Sequence, residues 1–218
     1  MDNPQASTDT VYLPTADRVL ADCDIFNADP FPDEALKVLF TQYPRNDNYS
    51  HVLLKVVCLN RLYNAGIYAV YDAARHIHEH AQVIDSGLAA GSPEVVDLIA
   101  AVPIKATGKV RHFWCFATKY CSWHKPDAYP IWDANVKEYL TWLRKQKPQG
   151  SFLEKNPDSW TEYAEFVDMI NNLRKHNNLG RFSFKDIDKF LWWEGGRRIA
   201  EKKRLRAAKE DTAASTQL

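Results

Sequence analysis

Apolar residues recur at helical spacing along most of the chain, and no sustained β-type alternation accompanies them. Tyr49 to about His80 predicts helix, interrupted at Asn64-Ala65-Gly66. Its first half, LLKVVCLNRLY, is apolar on almost every side and predicts a buried helix with Lys55, Asn60 and Arg61 at privileged positions, while the second half, YAVYDAARHIHEHA, is amphipathic. Before it, Asp33 reads as the cap of a short helix through Phe40, ended by the turn Tyr43-Pro44-Arg45-Asn46-Asp47. After it, Gly91-Ser92-Pro93-Glu94 opens another helix, with Ser92 as cap and Pro93 at the first helical position. A loop from Pro103 to Gly108 leads to a long helix over roughly 110–124, which Lys125-Pro126-Asp127 stops. Ala128-Tyr129-Pro130-Ile131-Trp132 then delivers the chain to Asp133, and further helices are expected over 134–147, 158–176 and 183–194 with a Pro/Gly loop at Lys147-Pro148-Gln149-Gly150. The pattern predicts an all-α fold, a compact domain of about eight helices over 33–196. Residues 1–32, with Pro4, Pro14, Pro30 and Pro32, read as an extended arm; Gly195-Gly196 punctuates, and 197–218 form a basic helical tail with a disordered end.

Composition adds little until it is split. The 218 residues carry 28 Lys+Arg and 28 Asp+Glu, yet residues 1–100 hold 6 and 14 of these, a balance of −8, leaving 22 and 14, or +8, for the remainder. Such asymmetry is a signature of nucleic-acid or membrane contact as well as of an ordinary solvated surface. No apolar run approaches a membrane span, and Met1-Asp2-Asn3-Pro4 lacks the basic and apolar regions of a signal peptide. Four cysteines without a C-x-x-C pair fit reduced thiols, so a cytoplasmic protein is expected.

The segment 105–125 carries Lys105, Lys109, Arg111, Lys119 and Lys125 without one acidic residue, interleaved with His112, Phe113, Trp114, Phe116, Tyr120, Trp123 and His124. Cations for phosphates and flat rings for bases are what a flipped or single-stranded nucleotide requires; a buried aromatic helix with basic ends has the same composition. On a helical wheel His112, Cys115, Phe116, Lys119 and Trp123 share one face, which sets Lys119 in an apolar stripe. A lysine there either snorkels out or pairs with a carboxylate, or it is desolvated and its pKa falls from ~10.4 far enough to leave a neutral, nucleophilic amine. Asp133 stands where the next helix starts. There it serves as a cap worth about 1 kcal/mol, or as a carboxylate that steadies an oxocarbenium-like sugar while the lysine attacks the anomeric carbon.

The stretch Phe116-Ala117-Thr118-Lys119-Tyr120-Cys121 through Pro130-Ile131-Trp132-Asp133 resembles the catalytic segment of the helix-hairpin-helix DNA glycosylase superfamily, over about 30 residues. The resemblance implies that Lys119 is the Schiff-base lysine and Asp133 the aspartate that assists cleavage of the N-glycosidic bond. The chain also looks like bacterial antiviral glycosylases that remove modified cytosines, including glucosylated hydroxymethylcytosine, from phage DNA; an oxidised base is the other candidate substrate. The family's Gly-x-Gly turn is reduced here to Gly108, a degenerate helix-hairpin-helix element, so phosphate binding is expected of Lys105, Lys109, Arg111 and Lys125. The base pocket is expected to draw on Asn60, Tyr63, Trp114, Cys115, Phe116, Trp123 and Trp132. The implied partner is double-stranded DNA with a flipped modified nucleotide, with no cofactor, metal or membrane and no protein partner indicated. The reading from another class is a non-catalytic helical module that binds nucleic acid or protein.

Three weaker signals remain. The run His76, His78, His80 has no further ligand of recognised zinc spacing nearby, and a continuous helix puts the pairs His112/Cys115 and Cys121/His124 on nearly opposite faces. Trp192-Trp193 reads as the anchor of the last core helix or as a stacking platform. Residues 197–209 carry seven Lys+Arg and one Glu201, either a solvated face or a phosphate-binding one.

Overall fold

A computed structural model describes residues 13–28, 31–146 and 152–215, in ten helices and one two-stranded ribbon. The all-α class holds. The expected loop at Lys147-Pro148-Gln149-Gly150, the first twelve residues and the last three lie outside the described residues.

The first helix, α1 (Ala16–Asn27), forms inside the expected extended arm. The Thr15 side chain accepts the Arg18 amide at its start, and Val19 and Cys23 are buried. Asp22, buried beside them, and the exposed Asp17 and Asp24 hide the apolar period in the sequence. Then come α2 (Phe31–Gln42), α3 (Tyr49–Leu62) and α4 (Val70–Glu79). Between α3 and α4 the backbone turns through Asn64 at φ 45° and Gly66 at φ 71°, as the predicted interruption requires. Asn60 closes that turn, its amide donating to the Ile67 carbonyl at 2.8 Å and accepting the Ile67 N–H at 3.2 Å.

Helices α5 (Ala81–Ala90) and α6 (Glu94–Ala100) lead into β1 (Ala101–Ile104) and β2 (Lys109–His112), an antiparallel ribbon with Ala101 opposite His112 and Ile104 opposite Lys109. The helix expected from Val110 therefore begins later, as α7 (Trp114–His124), and the degenerate hairpin between the two helices is this ribbon. All four side chains of β2 are exposed, so the strand leaves no alternation to read; it is held by backbone pairing. The chain ends in α8 (Ala134–Lys145), α9 (Tyr163–His176) and α10 (Phe184–Ser215).

Helix α10 is continuous for 32 residues, roughly 48 Å at 1.5 Å per residue, so Gly195-Gly196 interrupts nothing. The two glycines instead sit where α10 crosses the start of α8: a Cβ on Gly195 would lie 1.9 Å from the Asn135 carbonyl oxygen. Beyond this crossing, residues 201–210 are wholly exposed and most of the basic tail projects as helix.

Helix α7 lies at the centre, with Phe116 to Ser122 all buried. Beside it Lys55 is fully enclosed, its ammonium donating to the carbonyls of Tyr43 and Arg45 at 3.1 Å and to Asn46 Oδ1 at 2.8 Å. Burial pulls its pKa down to about 8, against weaker upward pulls from Asp85 and Asp47. The folded chain thus releases this proton before the unfolded one does, and stability gains with pH above about 8, where the unfolded chain binds more protons. Between pH 7 and 10 the wild-type chain is expected to gain about 2 kcal/mol on a Lys55→Met variant, the thiols and phenols common to both cancelling. Urea midpoints at both pH values measure this; a constant difference would refute it.

Candidate active site

Four residues in a row fix the segment that carries Asp133. The Tyr129 hydroxyl donates to the carbonyls of Gly87 and Ser92, both at 3.1 Å, and the Pro130 carbonyl accepts the Tyr163 hydroxyl at 2.6 Å. Ile131 is buried, and the Trp132 amide donates to Thr118 Oγ1 on α7 at 3.1 Å. Thr118 is one residue from Lys119, so this bond ties the loop to the turn of α7 that bears the lysine.

The consequence is a buried ion pair. Lys119 Nζ lies 3.3 Å from Asp133 Oδ2, with both side chains less than a tenth exposed. The other oxygen, Asp133 Oδ1, accepts the amides of Asn135 at 3.0 Å and Val136 at 3.1 Å, so the cap and the ion pair coexist in one carboxylate. Lys119 also donates to the Tyr63 carbonyl at 3.0 Å. Lysine and aspartate line a common cavity of about 330 Å³, walled by Tyr63, Ile131, Asp188 and Trp192 among others. That volume falls at the small end of ligand sites.

Of the alternatives open for Lys119, the structure shows the one paired with a carboxylate. Burial lowers the pKa of Lys119; Cys115 and Asp188 where they ionise, and Asp133 by its charge and hydrogen bond, raise it, and the net shift is upward. Burial also pushes the Cys115 thiol up, so Cys115 is uncharged at neutral pH and Asp133 is the chief partner. At rest Lys119 is an ammonium.

The expected base-pocket residues divide. Tyr63 forms one wall, its hydroxyl donating to Asp33, with Trp123 packed edge-on behind its ring at 5.5 Å. Cys115 stands one turn before Lys119, within hydrogen-bonding reach of its amine. Asn60 is instead committed to the α3–α4 turn and borders another depression, with Arg61 and Tyr68. Phe116 is fully buried against Tyr120. Trp114 and Trp132 turn toward α9 and pack edge-on around Trp160, at 4.7 and 5.3 Å, away from the cavity lining. Among the phosphate candidates, Lys105, Lys109 and Arg111 are exposed on the ribbon. Lys125 donates to the Ala89 carbonyl at 2.6 Å, closing the end of α5.

Phe26 of α1 and Lys185, Asp188 and Lys189 of α10, which the sequence did not single out, complete the cavity with Asn64, Ile131 and Trp192, the last of them read from sequence as an anchor or a stacking platform. Lys185, Asp188, Lys189 and Trp192 stand at i, i+3, i+4 and i+7, a largely charged stripe flanking the buried face of Phe184, Ile187 and Leu191. That spacing was the available signal. Phe26 and Trp192 meet edge-on at 5.3 Å beside the cavity. Lys185 lies 3.7 Å from Asp33 and 4.8 Å above the Trp123 ring, and Lys189 donates to Asn27 at 2.8 Å.

The histidine run is occupied elsewhere: His76 Nε2 pairs with the Leu98 carbonyl and His80 Nδ1 with the His76 carbonyl, both at 2.8 Å. Among the described residues, no group of three His, Cys, Asp or Glu could hold a metal ion, and no helix is long and apolar enough to cross a membrane. The four cysteines are free.

The family model HI_0787_N, an N-terminal domain, matches residues 19–128, a span that includes Tyr63 and Lys119 and stops before Asp133. A protein of Haemophilus influenzae (strain ATCC 51907 / DSM 11121 / KW20 / Rd), described as an uncharacterized protein, is 29% identical over 174 residues, 77% of this chain and 81% of the relative. No solved structure matches.

Proposed function

We propose that this chain, which belongs to the HI_0787_N N-terminal domain family, is a DNA glycosylase that flips out and excises a modified base. The observation that carries the reading is the buried Lys119–Asp133 pair lining a cavity flanked by aromatic rings. A base rotated out of the stack needs a walled pocket and flat surfaces, supplied here by Tyr63 and by Trp192 with Phe26. Cleavage of the C1′–N bond leaves positive charge on the sugar, and the fixed carboxylate of Asp133 is preorganised to stabilise it. The Lys119 ammonium holds that carboxylate in place. It becomes a nucleophile toward C1′ only after losing its proton, so the resting state favours attack by water and an intact abasic site. Candidate substrates are glucosylated hydroxymethylcytosine of phage DNA, in an antiphage role, and oxidised bases. The free thiols fit action in the cytoplasm.

The test is a panel of duplexes carrying oxidised, alkylated, deaminated and glucosylated bases, incubated with the protein and then with alkali. Strand breaks at one class of base are expected, and no base release across the panel would overturn the reading. Borohydride trapping in parallel reports on covalent attack by Lys119.

A second reading, a non-catalytic module that binds nucleic acid, is favoured by one observation: Lys119 has two acceptors in the resting structure, Asp133 and the Tyr63 carbonyl. It requires Lys119→Ala to alter stability or binding and no reaction.

Both readings use the exposed basic helix. Replacing Lys203, Arg204, Arg206 and Lys209 with Gln should flatten the dependence of log K on log salt by about 0.9 for each phosphate that is no longer neutralised. An unchanged slope would assign these residues to solvent alone.

A further inference from the structure

Among the described residues, the other charged groups lining the cavity have protein partners, and Asp188 carries a buried oxygen without one. Lys119 is held by Asp133 and the Tyr63 carbonyl, Lys185 by Asp33, Lys189 by Asn27, and Asp33 also by the Tyr63 hydroxyl. Asp188 Oδ1 is shielded from solvent and bonded to nothing. Its side chain projects from the charged stripe of α10 into the cavity that Lys119 and Asp133 line from α7 and the start of α8. A buried carboxyl oxygen without a partner costs free energy unless the group is neutral or a ligand completes it.

We propose that Asp188 is the proton donor of this cavity, a carboxylic acid that hydrogen-bonds a ring nitrogen or carbonyl oxygen of the flipped nucleobase and protonates it as it departs. The inference rests on the glycosylase reading and deepens it. As the C1′–N bond breaks, its electron pair passes to the base, and the base takes the Asp188 proton. Water then adds to C1′ of the oxocarbenium ion and yields one proton, which returns to the Asp188 carboxylate. The sum is hydrolysis, with no co-reactant beyond water.

The surroundings suit this role. Burial pushes Asp188 up to about 7; Lys185 and Lys119 pull it down, while the negative charges of Asp133 and Asp33 push it further up. Lys189 on its own helix, Cys115 on α7 and Tyr63 after α3 complete the titratable groups around the cavity. A donor poised near the working pH serves general acid catalysis best. The two acids are then divided: Asp133 is held by two amides and an ammonium, and Asp188 carries the proton.

The test separates the proposal from the reading beneath it. Free cytosine and guanine are titrated into the full chain at pH 5.5 and 8.5, followed by tryptophan fluorescence, to which Trp192 at the cavity contributes. The wild type should lose affinity about tenfold or more between these values as the donor ionises. Asp188→Asn, which donates at every pH, should show no such loss. Equal pH dependence in both proteins, or no binding at either pH, overturns the proposal. Base release is measured separately on the modified-duplex panel. If nucleobases bind with the expected pH dependence but nothing is excised, the glycosylase reading fails and the nucleobase contact stands. If bases are excised with the same pH profile by wild type and Asp188→Asn, the glycosylase reading stands and the donor assignment fails.

Discussion

Asp133→Asn is expected to slow base release by about 10²–10³-fold, the usual cost of removing one preorganised electrostatic group, while the start of α8 stays capped. Asparagine caps a helix as well as aspartate does, so the amides of Asn135 and Val136, now bonded by Asp133 Oδ1, keep an acceptor. What is lost is the negative charge facing Lys119 at 3.3 Å. With that charge gone, the Tyr63 carbonyl at 3.0 Å remains as an acceptor for the lysine. Asp133→Ala should lose the same rate and a further ~1 kcal/mol of stability for the missing cap. Single-turnover base release on the best duplex of the panel, with thermal midpoints for both variants, distinguishes the roles. Full activity in Asp133→Asn would leave Asp133 as a cap alone.

The Lys119–Asp133 pair was legible because its signal is local: a lysine in an apolar stripe, a short stiff loop, and an acid at a helix start lie within 15 residues of one another. The helical wheel also placed Cys115 beside Lys119 correctly, since they are one turn apart on α7. The charge state of Lys119 was not legible, because it depends on a 3.3 Å separation set by Thr118, Tyr163 and the carbonyl of Pro130. Trp114 and Trp132 were drawn toward the site by sequence proximity to Lys119 and Asp133, yet both are taken by Trp160, more than 25 residues further along the chain. The far wall was hidden for the opposite reason. Asp188 is more than 50 residues from Asp133, on a helix whose Phe184, Ile187 and Leu191 read as core, and only the stripe Lys185, Asp188, Lys189, Trp192 marks its other face. Helix α1 brings Phe26 to the cavity only through its packing on α10, where buried Glu194 pairs with Arg18.

The meeting of α8 and α10 that closes this wall is expected to fail in Gly195→Ala. The added methyl would lie 1.9 Å from the Asn135 carbonyl oxygen, 2.5 Å from its carbon and 3.0 Å from the Asn135 Cα, all backbone atoms that no side-chain rotation can move. The helices must separate, and overpacking of this kind costs ~3 kcal/mol at the upper end of its usual range. For a chain of this size that lowers the thermal midpoint by roughly 6–12 °C. Gly196→Ala supplies the control: its methyl meets only side-chain atoms of Asn135, Nδ2 at 3.1 Å and Cγ at 3.8 Å, which can give by a few tenths of an ångström, and alanine favours the helix by up to ~1 kcal/mol. Gly196→Ala should therefore melt within a few degrees of wild type. Asn135 is also the residue whose amide bonds Asp133 and whose side chain donates to the Trp192 carbonyl at 3.1 Å. A shift of α8 against α10 thus displaces Asp133 from Asp188 and Trp192, and a misplacement of ~1 Å can cost about 10²-fold in rate. Gly195→Ala should lose base release at temperatures well below its melting point, where Gly196→Ala retains it. Equal melting and equal activity in the two variants would mean that the glycine crossing does not set the geometry of the site.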